Sequence, residues 1–293
     1  MKIAIFGGGF ISRNLGQLFS TSGHEVVILT RNPSYFQSGS YEILNHDDAK
    51  DYRKAKSINF DVFIIAAAMT PASDDYAPMS IIDVNLEIVK KAVELYVATK
   101  SSSLVFLSTT AVFGESPPIV VPQAFICPSE NLSPYGNSKL ASEKYLMQHL
   151  RPIILRLPGI VWTNAPQTFV PRLIGQIFCG EQAQIYSREA LFNGILSIPT
   201  LANIILDLVE LMSNSEHFGG SSVLNLGAVN PMSLEELSIL IGDFFGVPVE
   251  ILENPVGRSP YVIDITGLQD RLSLPDVKAE ITLILEQYLK DVF

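Results

Sequence analysis

At 293 residues, 47% of them hydrophobic and 17% charged, the chain is long enough to bury a sizeable core and too apolar to be disordered. A net charge of −10 excludes the broad basic face that nucleic-acid binding needs and leaves room only for a local basic pocket. No run approaches the roughly 18 uninterrupted apolar residues of a membrane span, and Ile3 to Phe6 is too short for a signal-peptide core, so a cytoplasmic protein with no membrane role is expected.

Lys2 to Phe6 is a short apolar run closed by glycines and reads as a buried strand. Ile11 to Ser22 carries Ile11, Leu15, Leu18 and Phe19 at helical spacing. Glu25 to Leu29 reads as a second strand, Tyr41 to Leu44 as a short third and Asp61 to Ala67 as a fourth. A helix over Val84 to Thr99, a strand over Leu104 to Leu107, a helix over Ser138 to Leu150 and a sixth strand over Ile153 to Leu157 complete the alternation. Continuous apolar strands alternating with helices predict an α/β fold of Rossmann type, a doubly wound parallel sheet covered on both faces, over residues 1–160. Ligands of such sheets bind beyond the carboxyl ends of the strands.

After Val161 the pattern changes to longer, proline-bearing loops with helical stretches near Val170–Phe178, Leu201–Met212 and Leu234–Phe245. This predicts a smaller C-terminal substrate-binding lobe over 161–293, interleaved with the last sheet strands. Glu115 to Pro134 holds Pro117, Pro118, Pro122, Pro128 and Pro134 and is expected to be a loop over the site. Cys127 and Cys179 show no disulfide or metal spacing, and His24, His46, His149 and His217 are scattered. Two buried or half-buried thiols and no metal site are expected.

Gly7-Gly8-Gly9-Phe10-Ile11-Ser12 follows the first strand and opens the first helix. Gly7 allows a tight turn, and Gly9 lets the backbone approach a pyrophosphate seated on the helix N-terminus. Ser12 stands where the third glycine of that pattern falls. The second strand ends Thr30-Arg31-Asn32, with no acidic residue to hold a ribose 2′-hydroxyl. Arg31 suits a 2′-phosphate through its planar fork, or is an ordinary surface arginine. The first alternative predicts NADP(H) over NAD(H).

Tyr135 and Lys139 stand four apart, behind Ser133 as a helix N-cap and Pro134 in the first turn. That spacing puts phenol and ammonium on one helix face, where the cation is expected to lower the phenol's high pKa. Thr109, at the end of the preceding strand in Ser108-Thr109-Thr110, is placed to share a hydrogen bond with a substrate oxygen.

With these motifs in this order the sequence resembles the extended short-chain dehydrogenase/reductases, the NAD(P)-dependent epimerase/dehydratase superfamily. The likeness runs through Gly7 to Ile11, Ala66-Ala67-Ala68, Val84-Asn85, Ser108 to Gly114, Pro134 to Glu143 and Leu155 to Gly159. It implies Tyr135 as general acid/base, Lys139 as the partner of the nicotinamide ribose, and Thr109 as the Ser/Thr of the triad. It implies Asn85 as a helix residue supporting the site, and Phe10, Ile11, Ala66, Ala67, Ala68 and Pro158 among the cofactor contacts. Asp47 resembles the aspartate that meets the adenine amine, or is a loop carboxylate. The resemblance also implies pairing as a homodimer through the helices at Val84–Thr99 and Ser138–Leu150, although the face of Val89, Val93 and Val97 suits a core as well.

The departures narrow the reaction. Dehydratases of the family carry Asp-Glu where Thr110 and Ala111 stand, so elimination of water is not expected. Ala111 also replaces the cysteine of reductases that epimerise at two carbons. Ile64-Ile65, Phe113 and Gly159 replace the family's His-Leu, its tyrosine and a substrate-binding asparagine. Pro199-Thr200 resembles a segment of deoxysugar 4-keto reductases. The expectation is an NADPH-dependent reductase of a nucleotide-linked 4-keto sugar, with a nucleotide-sugar 4-epimerase as runner-up. A cofactor-binding sensor or assembly protein is the reading from another class. Arg172, Arg188 and Arg258 are candidates for the substrate diphosphate, or surface residues.

Overall fold

The computed structural model describes residues 1–36, 41–70, 78–115, 117–123, 125, 127–214, 222–255, 260–269 and 271–292. Ile3, Ala4, Ile5 and Phe6 are all buried, which is why β1 (Lys2–Phe6) is apolar without alternation. The same holds for β4 (Val62–Ile65), where the expected His-Leu pair is Ile64-Ile65, both fully buried. These strands lie side by side in a seven-stranded sheet with β2 (Glu25–Thr30), β3 (Glu42–Asn45), β5 (Ser103–Thr109), β7 (Ile153–Leu157) and β12 (Ser222–Asn225). The order is β12-β7-β5-β4-β1-β2-β3, and β3, β2, β1, β4 and β5 pair in parallel. The chain builds outward from β1 to β3, then returns beside β1 with β4 and builds the other way. The reversal between β1 and β4 is where such sheets bind their ligands.

The helices of this part are α1 (Phe10–Thr21), α2 (Ala49–Lys56), α3 (Pro78–Ala98) and α4 (Pro134–His149). Val89 and Val93 of α3 join the core with Phe63, Phe106 and Leu146, whereas Val97 is 59% exposed. Helix α2 and strand β12 lie outside the expectations from sequence. Asp48 caps α2 by accepting from the Lys50 and Asp51 amides.

Contacts divide the chain into two units, each discontinuous in sequence. The first takes Met1–Val112, Leu132–Arg156 and Ala202–Leu224, and the second takes Phe113–Asn131, Leu157–Leu201 and Asn225–Phe293. The second unit has its own core, in which Leu173, Ile177, Leu237, Ile241, Ile281 and Ile284 meet. Its helices are α5 (Phe169–Phe178), the start of α6 (Ile198–Asn214), α7 (Leu234–Phe245), α8 (Thr266–Gln269) and α9 (Val277–Val292). Four two-stranded pairs join them: β6 (Val120–Val121) with β15 (Val262–Ile263), β8 (Gly159–Val161) with β11 (Ile195–Ser197), β9 (Ala183–Ile185) with β14 (Ile251–Glu253), and β10 (Leu191–Phe192) with β13 (Met232–Ser233).

The proline-rich segment is thus no plain loop, since it carries β6 and a 3-10 turn at Ser129–Asn131. Cys127 is buried as expected, but Cys179, just past the end of α5, is exposed. Phe113, where the family has tyrosine, packs edge-on against Phe125 and Tyr261 and has no exposed edge on which to place a hydroxyl. Among the described residues no helix is long and apolar enough to cross a membrane, and no cluster of His, Cys, Asp or Glu is placed to hold a metal.

Candidate active site

The glycine turn sits at the carboxyl end of β1 and opens directly into α1, with Gly9 as an uncapped N-cap. Gly7 has a φ of +135°, and a Cβ there would stand 2.8 Å from the Ala67 amide nitrogen. The backbones are drawn that close because the Phe6 carbonyl accepts from both Ala66 and Ala67 amides, at 2.9 and 2.8 Å. A Cβ on Gly9 would meet nothing within 4 Å, so this residue faces open space. In place of a third glycine, Ser12 is buried under the turn.

An open cleft of about 1120 Å³ extends from this turn. Gly7, Gly9, Arg31, Asp47, Ala66, Ala67 and Ala68, all expected cofactor contacts, line it together. Phe10 and Ile11 begin α1 beside it, each half-buried. Pro158 is a buried residue of the second unit, between β7 and β8. Arg31 is exposed at the end of β2, while the Thr30 hydroxyl is occupied by the Asn32 amide at 3.3 Å. Asp47 is not a solitary loop carboxylate. It pairs with Lys91 of α3, whose hydrogen bond holds the carboxyl below its ordinary range, and stands 3.3 Å from His46 Nδ1. His46 itself is stacked on the Phe6 ring, and burial makes it harder to protonate.

The chemistry-bearing residues converge at the ends of β5 and α4. Ser133 caps α4 as expected, accepting from the Gly136 amide at 3.1 Å with Pro134 in the first turn. A Cβ at Gly136 would lie 2.7 Å from the Ala111 carbonyl oxygen. Only glycine lets the start of α4 close on the turn that follows Thr109, a requirement the sequence reading missed. The Thr109 hydroxyl accepts from the Ala111 amide at 3.1 Å, which leaves its own hydrogen available to an incoming oxygen.

Asn85, buried on α3, clamps the site from the side. Its Oδ1 accepts from the Met69 amide at 2.6 Å, and its amide donates to the Met69 carbonyl at 3.0 Å and to Ser138 Oγ at 2.8 Å. Ser138 in turn donates to the Tyr135 carbonyl at 2.8 Å. The supporting role implied for Asn85 therefore has a physical form: it ties the segment after β4 to the first turn of α4.

Lys139 is buried, donates to the Leu107 carbonyl at 2.7 Å and lies 4.6 Å over the Phe106 ring. Burial pulls it down to about 8, opposed by Glu143. Tyr135 behaves otherwise than expected. Burial raises the phenol, while the Lys139 ammonium donates to the Leu107 carbonyl. At neutral pH Tyr135 is a protonated phenol, suited to giving a proton.

Of the proposed diphosphate ligands, Arg188 is occupied by Glu235, by Glu253 and by the Ile251 carbonyl. Arg172 is exposed on α5, and Arg258 lies outside the described residues, as does His217. At Gly159 a Cβ would stand 3.2 Å from the Gly194 carbonyl oxygen, so the asparagine of relatives would be crowded there.

A family model described as the NAD dependent epimerase/dehydratase family matches residues 3–190. The chain belongs to that family. It is an NAD(P)-dependent enzyme of the short-chain dehydrogenase/reductase type. No curated protein matches it in sequence. Among solved structures, the Bordetella bronchiseptica enzyme WbmG in complex with NAD and UDP superposes with a TM-score of 0.76 at 18% identity, over 99% of this chain and 96% of that one. UDP-glucose-4-epimerase from Stenotrophomonas maltophila, with bound NAD and formylated UDP-arabinopyranose, gives 0.76 at 17%, over 99% and 98%. UDP-glucose 4-epimerase from Thermotoga maritima with UDP-glucose gives 0.74 at 17%, over all of both chains. At these identities the likeness is one of fold. The family member's own residues fit a dinucleotide, because Gly9 opens to the cleft at a helix N-terminus with nothing in the way of a pyrophosphate.

Proposed function

We propose that this enzyme is an NADPH-dependent reductase of a nucleotide-linked 4-keto sugar. The observation that carries the reading is the half-buried phenol of Tyr135 at the start of α4, four residues before the buried Lys139 and in the unit that also holds Thr109. A reductase needs a proton donor at the oxygen of its ketone, and Tyr135 Oη is that donor in this reading, with Thr109 holding the same oxygen. The nicotinamide cofactor, when bound, supplies the hydride. Lys139 supplies the positive charge that steadies the phenolate left behind, and Asn85 keeps the first turn of α4 in place. Thr110 and Ala111 offer no acid-base pair for dehydration.

Arg31 supports NADPH over NADH, since it lines the cleft at the end of β2, where the sequence Thr30-Arg31-Asn32 carries no acidic residue to hold a ribose 2′-hydroxyl. A nucleotide-sugar 4-epimerase is the second reading, favoured by solved structures of that activity sharing the fold.

The test follows NADPH absorbance with a panel of nucleotide-linked 4-keto sugars. Wild type is expected to consume NADPH in step with product, and Tyr135→Phe to lose about 10²-fold or more in turnover. Arg31→Ala is expected to weaken NADPH about 10- to 100-fold and leave NADH unchanged, the loss of one charge-assisted phosphate contact. Interconversion of 4-epimers without added NADPH would establish the epimerase instead. Cofactor binding with neither activity would favour the sensor.

A further inference from the structure

Behind Lys139 lies a polar assembly that the reaction as described does not use. Glu143, one turn further along α4, is fully buried. Its carboxylate accepts from Arg156 Nε at 3.1 Å and Nη2 at 2.9 Å, and from Ser108 Oγ at 2.5 Å. Arg156 is a buried residue of β7, and Ser108 of β5. Three elements of the first unit thus meet on one carboxylate. We propose that Glu143 and Arg156 are positioning residues, a buried ion pair that holds α4 in register with β5 and β7 and keeps the Lys139 ammonium charged and in place beside Tyr135. The inference rests on the reading that Lys139 serves Tyr135.

Stability does not account for the pair, because a buried ion pair is matched or bettered by apolar residues of the same volume. Its placement points elsewhere. Tyr135, Lys139 and Glu143 follow one another at four-residue intervals and form one stripe of α4. Ser108 sits between Leu107, whose carbonyl takes the Lys139 ammonium, and Thr109, whose hydroxyl belongs to the site. The carboxylate therefore grips the same three-residue segment of β5 that positions both of those groups. Arginine's fork fixes the direction of approach, which a lysine would not.

Charge gives the second argument. Lys139 lies against the Phe106 ring, where burial disfavours an ammonium. Of the groups around it, β5 carries none that titrates, α4 carries Tyr135 and Glu143, β7 carries Arg156, and α3 carries Asp83, Glu87, Lys90, Lys91 and Glu94 on its cleft side. Glu143 is the one whose charge acts on Lys139 among the described residues. Removing that charge leaves the burial of Lys139 unopposed, which favours loss of its proton.

The experiment measures Lys139 directly and through turnover. Protein labelled with carbon-13 at lysine Cε is titrated by NMR, the Lys139 signal being assigned by its loss in Lys139→Met. In parallel, kcat for NADPH oxidation is followed against pH. For E143Q, both the Lys139 titration and the alkaline fall of kcat are expected to move down by about one pH unit. Adding R156Q to E143Q is expected to leave that shift in place, since Glu143 is the charge that acts on Lys139. R156K keeps the charge but loses the fork, and is expected to lower kcat about tenfold while leaving the alkaline limb and the KM for NADPH in place. R156K also stands as the test should E143Q fail to fold. A Lys139 titration unmoved in E143Q, or full activity in R156K, overturns the proposal. A shifted titration in an enzyme that reduces no substrate would sink the reductase reading and leave this one standing.

Discussion

Two glycines two residues apart, Gly7 and Gly9, do different work, and substitution separates them. Gly7 combines a φ of +135° with an Ala67 backbone already in the way, so Gly7→Ala is expected to cost roughly 2–4 kcal/mol of folding stability by urea unfolding. Gly9 is extended and faces open space. Gly9→Ala is expected to leave the unfolding midpoint nearly unchanged while weakening NADPH binding by fluorescence titration, since its methyl would project where a pyrophosphate lies. Loss of stability at Gly9, or tolerance at Gly7, would contradict the geometry. Residues of this kind were legible because one short run of sequence holds the whole motif. So were Tyr135 and Lys139, four apart on one helix. The Asp47–Lys91 pair was not, because its members lie on different elements 44 positions apart. Nor was Gly136, whose need for a bare backbone depends on where the Ala111 carbonyl falls.

At the scale of elements, most long apolar helices and strands are legible, but α9, which buries Val277, Ile281, Ile284 and Leu285, lies outside the expectations from sequence, as do elements with little to bury. Helix α2 buries Ala55 and no other residue, so it has no apolar stripe to read and only Asp48 as a cap signal. Strand β12 is four residues long and shows no period. The Pro199-Thr200 segment was noticed as a likeness, but its physical role emerges only from packing. Glu280 of α9 is buried against the start of α6, accepting from the Ser197 amide and the Thr200 hydroxyl. Burial makes Glu280 harder to ionise in the folded chain than in the unfolded one. Its contribution to folding is therefore present in full below the ordinary carboxylate range and is lost as pH rises through the raised folded value. The unfolding free energy of wild type minus that of Glu280→Gln is expected to fall as pH rises across that window, measured by urea unfolding at stepped pH. A flat or rising difference would mean that the hydrogen bonds outweigh desolvation.

For the whole molecule, the doubly wound sheet was expected from the alternation of strands and helices, and six of its seven strands were expected in place. The second unit was harder to read, because its strands are two or three residues long and pair across large distances in sequence. The cleft is lined by residues of the first unit, from Phe6 to Glu94. Ligand linkage then gives a prediction for the intact chain. NADPH at one hundred times its Kd is expected to raise the unfolding free energy by about 2.7 kcal/mol, with a smaller rise from NADH at the same concentration. Equal protection by both would remove the support that Arg31 lends to NADPH.

The seventh strand also sets a timetable for synthesis. Six strands of the sheet have been made once the ribosome passes Leu157, but β12, the neighbour of β7, follows about 70 residues later. At roughly 5–20 residues per second that is a wait of several seconds. For that interval the apolar β7 presents a bare edge, open to pairing with any passing strand. Translation speed between residues 158 and 221 thus becomes a determinant of how much chain reaches the native state, and the stretch in which a nascent-chain chaperone has most to protect.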